Sequence, residues 1–428
     1  MSPSLVETPR VPLAEICSRI SSGGTPSRKR PDYFGSGADH PWVKSQELLD
    51  GTIRGTSEHI TDAGLKNSSA KYYQPGTVLL AMYGANVGQL GLLGIPATVN
   101  QAICGLCVDP SRAEPRYVFY AVLTTRRDLV GLAAGAAQQN LNQELIRQFS
   151  IPLPPLPTQR RIVAILSPYD DLIENNTRRI RLLEEMVQRI YRAWFVDFQY
   201  PGHETVPLVE SELGPIPQGW AVAPMGDHVR VVRGRSYRGV DLAERGGLPF
   251  VNLKCVARDG GFRADGLKRY VGEFKHAHRV VRGDIVVAVT DMTQERRIVA
   301  RAAQIPELDE DFGIISMDLV KIVPTDVPGE YLHGMLRYSD FADEVKAHAN
   351  GANVLHLHPD RITDFRTVFP SMDLAERYAA LVAPMEALRD RLESASQRLR
   401  VARDALLPRL ISGEIDVEHL DIQVPEAA

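Results

Sequence analysis

Four cysteines in 428 residues, Cys17, Cys104, Cys107 and Cys255, are too few and too scattered to staple a secreted fold. A reducing compartment fits that count. Cys104 and Cys107 make one Cys-x-x-Cys, but it lies in the apolar stretch Ala102 to Val108, which reads as a buried strand with no second ligand pair nearby. No apolar run of about 18 residues occurs, and the polar start from Met1 to Pro12 has no leader-like apolar core, so the expectation is a soluble, cytoplasmic protein. Net charge is only -4, from 49 Lys+Arg against 53 Asp+Glu, which removes the whole-chain basic signature of a small nucleic-acid module. Any basic surface must be local. At 44% hydrophobic and 24% charged, the chain can bury sizeable cores in two or more domains, which excludes disorder, collagen and coiled coil alone.

Catalytic motifs are missing as well. There is no G-x-x-x-x-G-K-[ST] phosphate cradle, and the dipeptide Gly-Lys does not occur. Neither Asn-Pro-Pro-Tyr nor Asp-Pro-Pro-Tyr is present to hold a flipped base, and no glycine fingerprint opens a helix for a nucleoside cofactor. Scattered Ser, His and Asp residues define no nucleophile elbow. The pairs His276/His278 and His356/His358 have no Cys or His cluster beside them and read as polar or surface histidines, so no catalytic residue and no metal ligand is assigned.

What is present is an internal repeat. Gly135-Ala136 with Leu141 recurs as Gly351-Ala352 with Leu357, and Ile146 and Phe149 recur as Ile362 and Phe365, all at an offset of 216. Upstream, Pro75-Gly76-Thr77-Val78 against Arg282-Gly283-Asp284-Ile285 is offset by 207, so loops have been inserted within one fold. The spacing predicts an α+β chain with six segments. These are a mixed globule over 11–155, a helix over 156–199, a Pro/Gly linker over 200–218, a second globule over 219–370, a helix over 371–414 and a tail over 415–428. Gly76 to Met82, Gly105 to Asp109, Ile285 to Thr290 and Asp318 to Val323 are the clearest strands.

Both helices carry a sevenfold series. In the first it is Ile162, Tyr169, Asn176, Leu183 and Ile190, with Leu166, Ile173, Ile180, Val187 and Trp194 four residues later. In the second it is Tyr378, Met385, Leu392, Leu399 and Leu406, with Leu381, Leu388, Ala395 and Ala402 following the first four by three residues. The two series match at offset 216, and the shared register predicts that the helices pack as an antiparallel coiled coil with Asn176 as its polar register residue. Pro168 and Pro384 also match; either Ser167 caps a new helix at Pro168, or the prolines kink continuous helices. Helices of this length, roughly 45 to 60 Å, would hold two globules apart by somewhat more than one duplex turn. Trp194 and Phe198 exceed what a seam needs, so that end is expected to meet a partner or the neighbouring domain.

Positive charge is regional. Pro224 to Ala303 holds 16 Lys+Arg against 9 Asp+Glu, and Arg10 to Ser150 holds 14 against 11. Guanidinium forks suit phosphate oxygens and the O6 and N7 edge of guanine. The cationic candidates are Arg28, Lys29, Arg30 and Lys44 in the first globule, and Arg233, Arg235, Arg238, Lys254, Arg296 and Arg297 in the second. Tyr83, Asn86, Gln89, Asn252, Asp291 and Thr293 are the polar or aromatic candidates for base contact; Tyr83-Gly84 reads equally as a strand-end turn held by core packing.

Taken in order, several segments resemble the specificity (S) subunit of type I restriction-modification systems over roughly Pro12 to Ile415. These are Ser22-Gly23-Gly24-Thr25-Pro26, Tyr83-Gly84-Ala85-Asn86-Val87-Gly88-Gln89, Ile151 to Leu156 running into Gln159-Arg160-Arg161, Pro217-Gln218-Gly219-Trp220, and Gly283 to Thr293. The resemblance implies two target recognition domains on double-stranded DNA, each reading half of a split target, with the helices as ruler. It implies docking of two modification (methyltransferase) subunits and of two restriction (motor-nuclease) subunits. S-adenosylmethionine, ATP and Mg would sit on those partners and no cofactor in this chain. Thr290-Asp291-Met292-Thr293 stands where the first copy has Met82-Tyr83-Gly84-Ala85, so the target is expected to be asymmetric. A scaffold that bridges partners without touching DNA, and an enzyme acting alone, are the other two readings.

Overall fold

A computed structural model describes residues 8–35, 39–134 and 140–424. Gly135 and Ala136 of the repeat lie outside the described residues. The chain forms two compact units, the described residues of Met1–Asn175 with those of Ser396–Ala428, and Asn176–Ala395.

The architecture is α+β, and the duplication extends to strand order. In the first unit β1 (Cys17–Ser22), β2 (Val78–Ala81), β3 (Leu90–Leu93) and β4 (Ile103–Val108) lie in the order β1-β4-β2-β3, with Gly51–Ile53 added beside β3. In the second unit β5 (Val229–Arg233), β6 (Ile285–Ala288), β7 (Ala302–Gln304) and β8 (Leu319–Pro324) repeat this as β5-β8-β6-β7. A further sheet in each unit is built on a parallel pair, His40–Val43 beside Ala97–Val99 and Leu248–Val251 beside Gly313–Ile315. Counting from strand start to strand start, Val78 to Ile285 is 207 residues, Leu90 to Ala302 is 212 and Ile103 to Leu319 is 216. The drift in offset therefore accumulates in the loops flanking β7.

The central strands read as unbroken apolar runs because each face meets a different core. In β2, Val78 and Leu80 enter one cluster while Leu79 and Ala81 enter another. In β6, Ile285 and Val287 do the same against Val286 and Ala288. Cys104 is part of this packing, and burial pushes its thiol up to about 12. The segment read as a linker forms a short hairpin, Leu208–Val209 with Ile216–Pro217, and buries Ile216 and Trp220 in the second unit's core.

Four helices complete the frame: α1 (Pro115–Ala134), α2 (Leu156–Phe195), α3 (Gly329–Tyr338) and α4 (Met372–Ile411). Tyr117 of α1 donates to the Pro152 carbonyl at 2.9 Å, and Tyr331 of α3 to the Val368 carbonyl at 3.3 Å. Each unit thus ties its shorter helix to the strand that leads into a long helix. Both α2 and α4 run on through Pro168 and Pro384 without a new start at Ser167. The two prolines lie on exposed faces of the helices, where the missing hydrogen bond costs least.

Within each unit the two long helices pack antiparallel. In the first, Ile162 and Leu166 share a core with Leu407, Leu410 and Ile411, and Asp170 accepts from Arg403 at 2.7 Å and from the Tyr120 hydroxyl of α1 at 2.5 Å. In the second, Val187, Tyr191 and Phe195 meet Tyr378 and Val382, and Glu386, in the register of Asp170, accepts from His333 of α3 at 3.0 Å. Ile162, Asn176, Tyr378 and Leu392 are buried, and Tyr169, Leu183, Ile190, Met385, Leu399 and Leu406 are half-buried. Leu381, expected in the seam, is 40% exposed. The buried line of α4 there runs instead through Tyr378, Val382, Glu386 and Asp390, because α4 packs against α3 as well as α2. Trp194 packs on Tyr378 and Phe198 on Trp220, with ring centroids 6.0 and 5.3 Å apart. Both residues pack on their own unit's core and are half-buried.

His333 is 1% exposed, and burial holds its imidazole below the ordinary histidine range, so the folded unit carries it neutral, with Nδ1–H donating to the Glu386 carboxylate. The unfolded chain binds that proton near pH 6.5. Stability is therefore full above about pH 6.5 and declines as pH falls below it, by at most about 1.4 kcal/mol per pH unit. Denaturant melts of the full chain at pH 7.5 and 5.5 check this. The acid-side loss should shrink in His333→Asn, which keeps a donor for Glu386 but does not titrate; an unchanged pH dependence would assign the loss to other groups.

Candidate nucleic-acid interface

A phosphate can be gripped by a cation that is exposed and not already neutralised, so the partners of each basic side chain decide what it can do. The first unit's basic loop leaves β1 through Gly23 and Gly24. A Cβ at Gly23 would stand 2.0 Å from the Val99 carbonyl oxygen, so the turn admits no larger residue. Beyond it, Arg28 lies over the Phe34 ring at 4.3 Å and pairs with Glu58 at 2.8 Å. Lys44 is drawn to the same carboxylate at 2.7 Å, and its hydrogen bond helps hold Glu58 below the usual carboxylate range. Arg30 is forked onto Asp32 at 2.9 and 2.8 Å. Lys29 alone of these four is exposed with no ion pair among the described residues.

Tyr83 is half-buried against the first unit's core, which favours the strand-end turn reading. The turn is closed by the Gln89 amide N–H to the Asn86 carbonyl at 2.9 Å. Asp50, in left-handed backbone at φ 57, takes both its oxygens to Arg126 at 2.8 and 3.0 Å and accepts the Leu90 N–H at 3.0 Å. The Gln89 side-chain amide completes this clamp with its nitrogen 3.2 Å from each Asp50 oxygen. Gln89 is thus engaged inside the protein. The Asp50–Arg126 clamp went unforeseen, since nothing local in sequence links residues 76 apart.

In the second unit, β5 leads into Gly234, where a Cβ would meet the Ser316 oxygen at 2.0 Å, the counterpart of Gly23. Arg233 is exposed, with its guanidinium 3.4 Å from the His358 ring nitrogen, and Arg238 is exposed with Asp241 at 3.9 Å. Arg235 is half-buried, and its backbone N–H donates to the Ile315 carbonyl at 2.8 Å. Lys254 is exposed and carries no ion pair among the described residues, and Arg230, Arg258 and Lys268 share that condition.

Two candidates are corrected. Asn252 is 5% exposed; its amide donates to the carbonyls of Gly266 at 2.7 Å and Phe250 at 3.2 Å, and its oxygen accepts the Lys254 N–H at 3.0 Å. Asp291 is 1% exposed and accepts from the N–H groups of Thr293 and Ile298, both at 2.8 Å, and from the Thr293 hydroxyl at 2.9 Å. Both are spent on shaping the backbone and have no reach to a base. Asp291-Met292-Thr293 has the form of an Asx turn, a signal in the sequence that pointed to this role. Thr293 is exposed but committed to Asp291, Arg296 donates to the Ala349 carbonyl at 3.2 Å, and Arg297 pairs with Glu295 at 2.6 Å.

The loops after β2 and β6 are buttressed alike. The Leu141 N–H donates to the Met82 carbonyl and the Leu357 N–H to the Val289 carbonyl, both at 2.8 Å. Among the described residues no cluster of His, Cys, Asp and Glu could hold a metal ion, and no helix is long and apolar enough to cross a membrane.

Residues 7–185 match the family model described as the type I restriction modification DNA specificity domain. The MjaIX specificity subunit of Methanocaldococcus jannaschii is 24% identical over 415 residues, 94% of this chain and 92% of that protein. Residues 7–185 thus carry the signature of a type I specificity domain, and nearly the whole chain is similar to a type I specificity subunit. Over 201 residues the chain is also 24% identical to the EcoR124I/EcoR124II specificity subunit of Escherichia coli, covering 45% of this chain and 49% of that one. Its fold is shared with the S subunit of a type I system from M. genitalium, with TM-score 0.60, 14% identity, and coverage of 96% of this chain and 98% of that chain. Recognition of a DNA target for a restriction-modification system is the role of this family.

Proposed function

We propose that this chain reads a bipartite, asymmetric target in double-stranded DNA. Each unit reads one half, and α2 and α4, which both contribute to both units, set the gap between halves. The repetition of one strand order with unlike loops carries this reading. A scaffold duplicated to bind the same feature twice would keep its loops; here the frame is kept while the loop after β6 is longer and charged where that after β2 is short and neutral. Exposed unpaired cations such as Lys29, Lys254, Arg258 and Lys268 would grip phosphates first, giving salt-dependent and sequence-independent affinity. In this reading the chain is not itself an enzyme. It docks modification (methyltransferase) subunits, two per complex, that carry S-adenosylmethionine, and two restriction subunits that use ATP and Mg, in the cytoplasm.

Methylome sequencing of a host expressing this chain with its modification subunit, against the same host lacking only this chain, tests the proposal. One split, asymmetric methylated motif should disappear with the chain. An unchanged methylome despite an assembled complex would favour the scaffold reading.

A further inference from the structure

The loop from Met292 to Arg297 is exposed yet held at every turn. Asp291 anchors it from below through the N–H groups of Thr293 and Ile298. Gln294 donates to the carbonyls of Ala352 at 2.9 Å and Gly351 at 3.4 Å, and Arg296 to that of Ala349. Arg296 and Ala300 sit in left-handed backbone at φ 52 and 66, conformations that non-glycine residues keep only where surrounding contacts impose them. With Thr293, Gln294 and Arg296 tied inward, the polar side chains left facing outward are Glu295 and Arg297, 61% and 52% exposed and paired at 2.6 Å. The equivalent loop after β2, residues 82–89, presents no charged side chain.

We infer that Glu295 and Arg297 read a cytosine–guanine pair in the second unit's half of the DNA target. This rests on the DNA-reading function proposed above and names the residues and base pair at that site. A guanidinium offers two parallel donors to guanine O6 and N7, and a carboxylate accepts from the cytosine N4 amine. The two groups already sit side by side, so a base pair presenting acceptors next to a donor replaces their mutual contact without stranding either charge. An A·T pair keeps adenine N7 as an acceptor but sets the adenine N6 amine, a donor, where guanine has O6, so Arg297 would lose one of its two bonds and face a donor. The rigid loop fixes both side chains' anchors before DNA arrives, which limits the ordering cost of binding.

The test is the methylome of the assembled complex carrying Arg297→Ala, Glu295→Ala, or neither, with binding to matched and single-substituted duplexes. The unaltered chain should give a motif with a C·G pair in one half. Arg297→Ala should relax that one position, reducing discrimination there by about 5–150-fold, while the other half stays unchanged. An identical motif in both variants, or uniform weakening at every sequence, would overturn the inference, the latter making Arg297 a phosphate contact. Absence of any chain-dependent motif with the unaltered protein would instead sink the DNA-reading function itself.

Discussion

Tyr378→Ala should cost the second unit about 3–5 kcal/mol. Tyr378 is 0% exposed and is ringed by Phe195, Tyr191 and Trp194, with centroids 5.1, 6.0 and 6.0 Å away. It is the point where α4, α2 and α3 meet, and a Cβ at Gly334 of α3 would already touch its hydroxyl at 2.8 Å. Removing the ring empties a site whose walls are the rigid backs of three helices, so little collapse can refill it. For a unit of this size the loss corresponds to a melting temperature lower by about 6–20 °C, readable by calorimetry on the full chain. Tyr378→Phe is the informative control. The hydroxyl is buried without a hydrogen-bond partner, so its removal should be neutral or slightly stabilising. A large loss from the phenylalanine variant would show that the hydroxyl, and not the ring, holds the junction.

Neutralising Arg230, Lys254, Arg258 and Lys268 together should weaken DNA binding by the complex on the order of 100-fold or more at 0.1 M salt. The log–log salt slope should become shallower by as much as about 3.6, since each phosphate contact on duplex DNA contributes about 0.9. These four are exposed and carry no ion pair among the described residues, so their field reaches solvent uncancelled. The matched control is Arg263 and Arg269, bound to Asp265 and Asp309. Detaching them from a carboxylate offsets most of what a phosphate would return, so their loss should change affinity only a few fold. Filter-binding or fluorescence titrations across a salt series separate the two sets. Equal effects from both would mean that pairing in the free protein does not govern contact with DNA.

The repeat was legible because apolar positions that hold a fold cannot drift. Ile146 and Ile362 are both fully buried, as are the matched helix positions Ile162 and Tyr378. The partial failure of the seam at Leu381 has a physical cause: a heptad count assumes one partner helix, whereas α4 also faces α3 and turns its buried line onto Val382, Glu386 and Asp390. The interface was less legible for a related reason. A count of arginines does not know which are cancelled by acids far along the chain, such as Arg301 by Asp343 or Arg282 by Asp390. Asn252 and Asp291 looked like base readers because an isolated polar residue in a loop is the same letter whether it faces a base or three backbone N–H groups. Only Asp291, with Thr293 two residues on, carried a local hint.

The first unit closes with residues from opposite parts of the chain. Ile162 and Leu166 share their core with Leu407, Leu410, Ile411 and Val417, whereas Asn176–Ala395 is a single stretch. On a ribosome adding about 5–20 residues per second, the apolar stripe of α2 waits roughly 12–50 s for its cover to be made. The second unit can fold in that interval. Vectorial synthesis therefore completes this protein from the middle outward, and the growing chain is most exposed to aggregation and to chaperones at the very segment that will join its two halves.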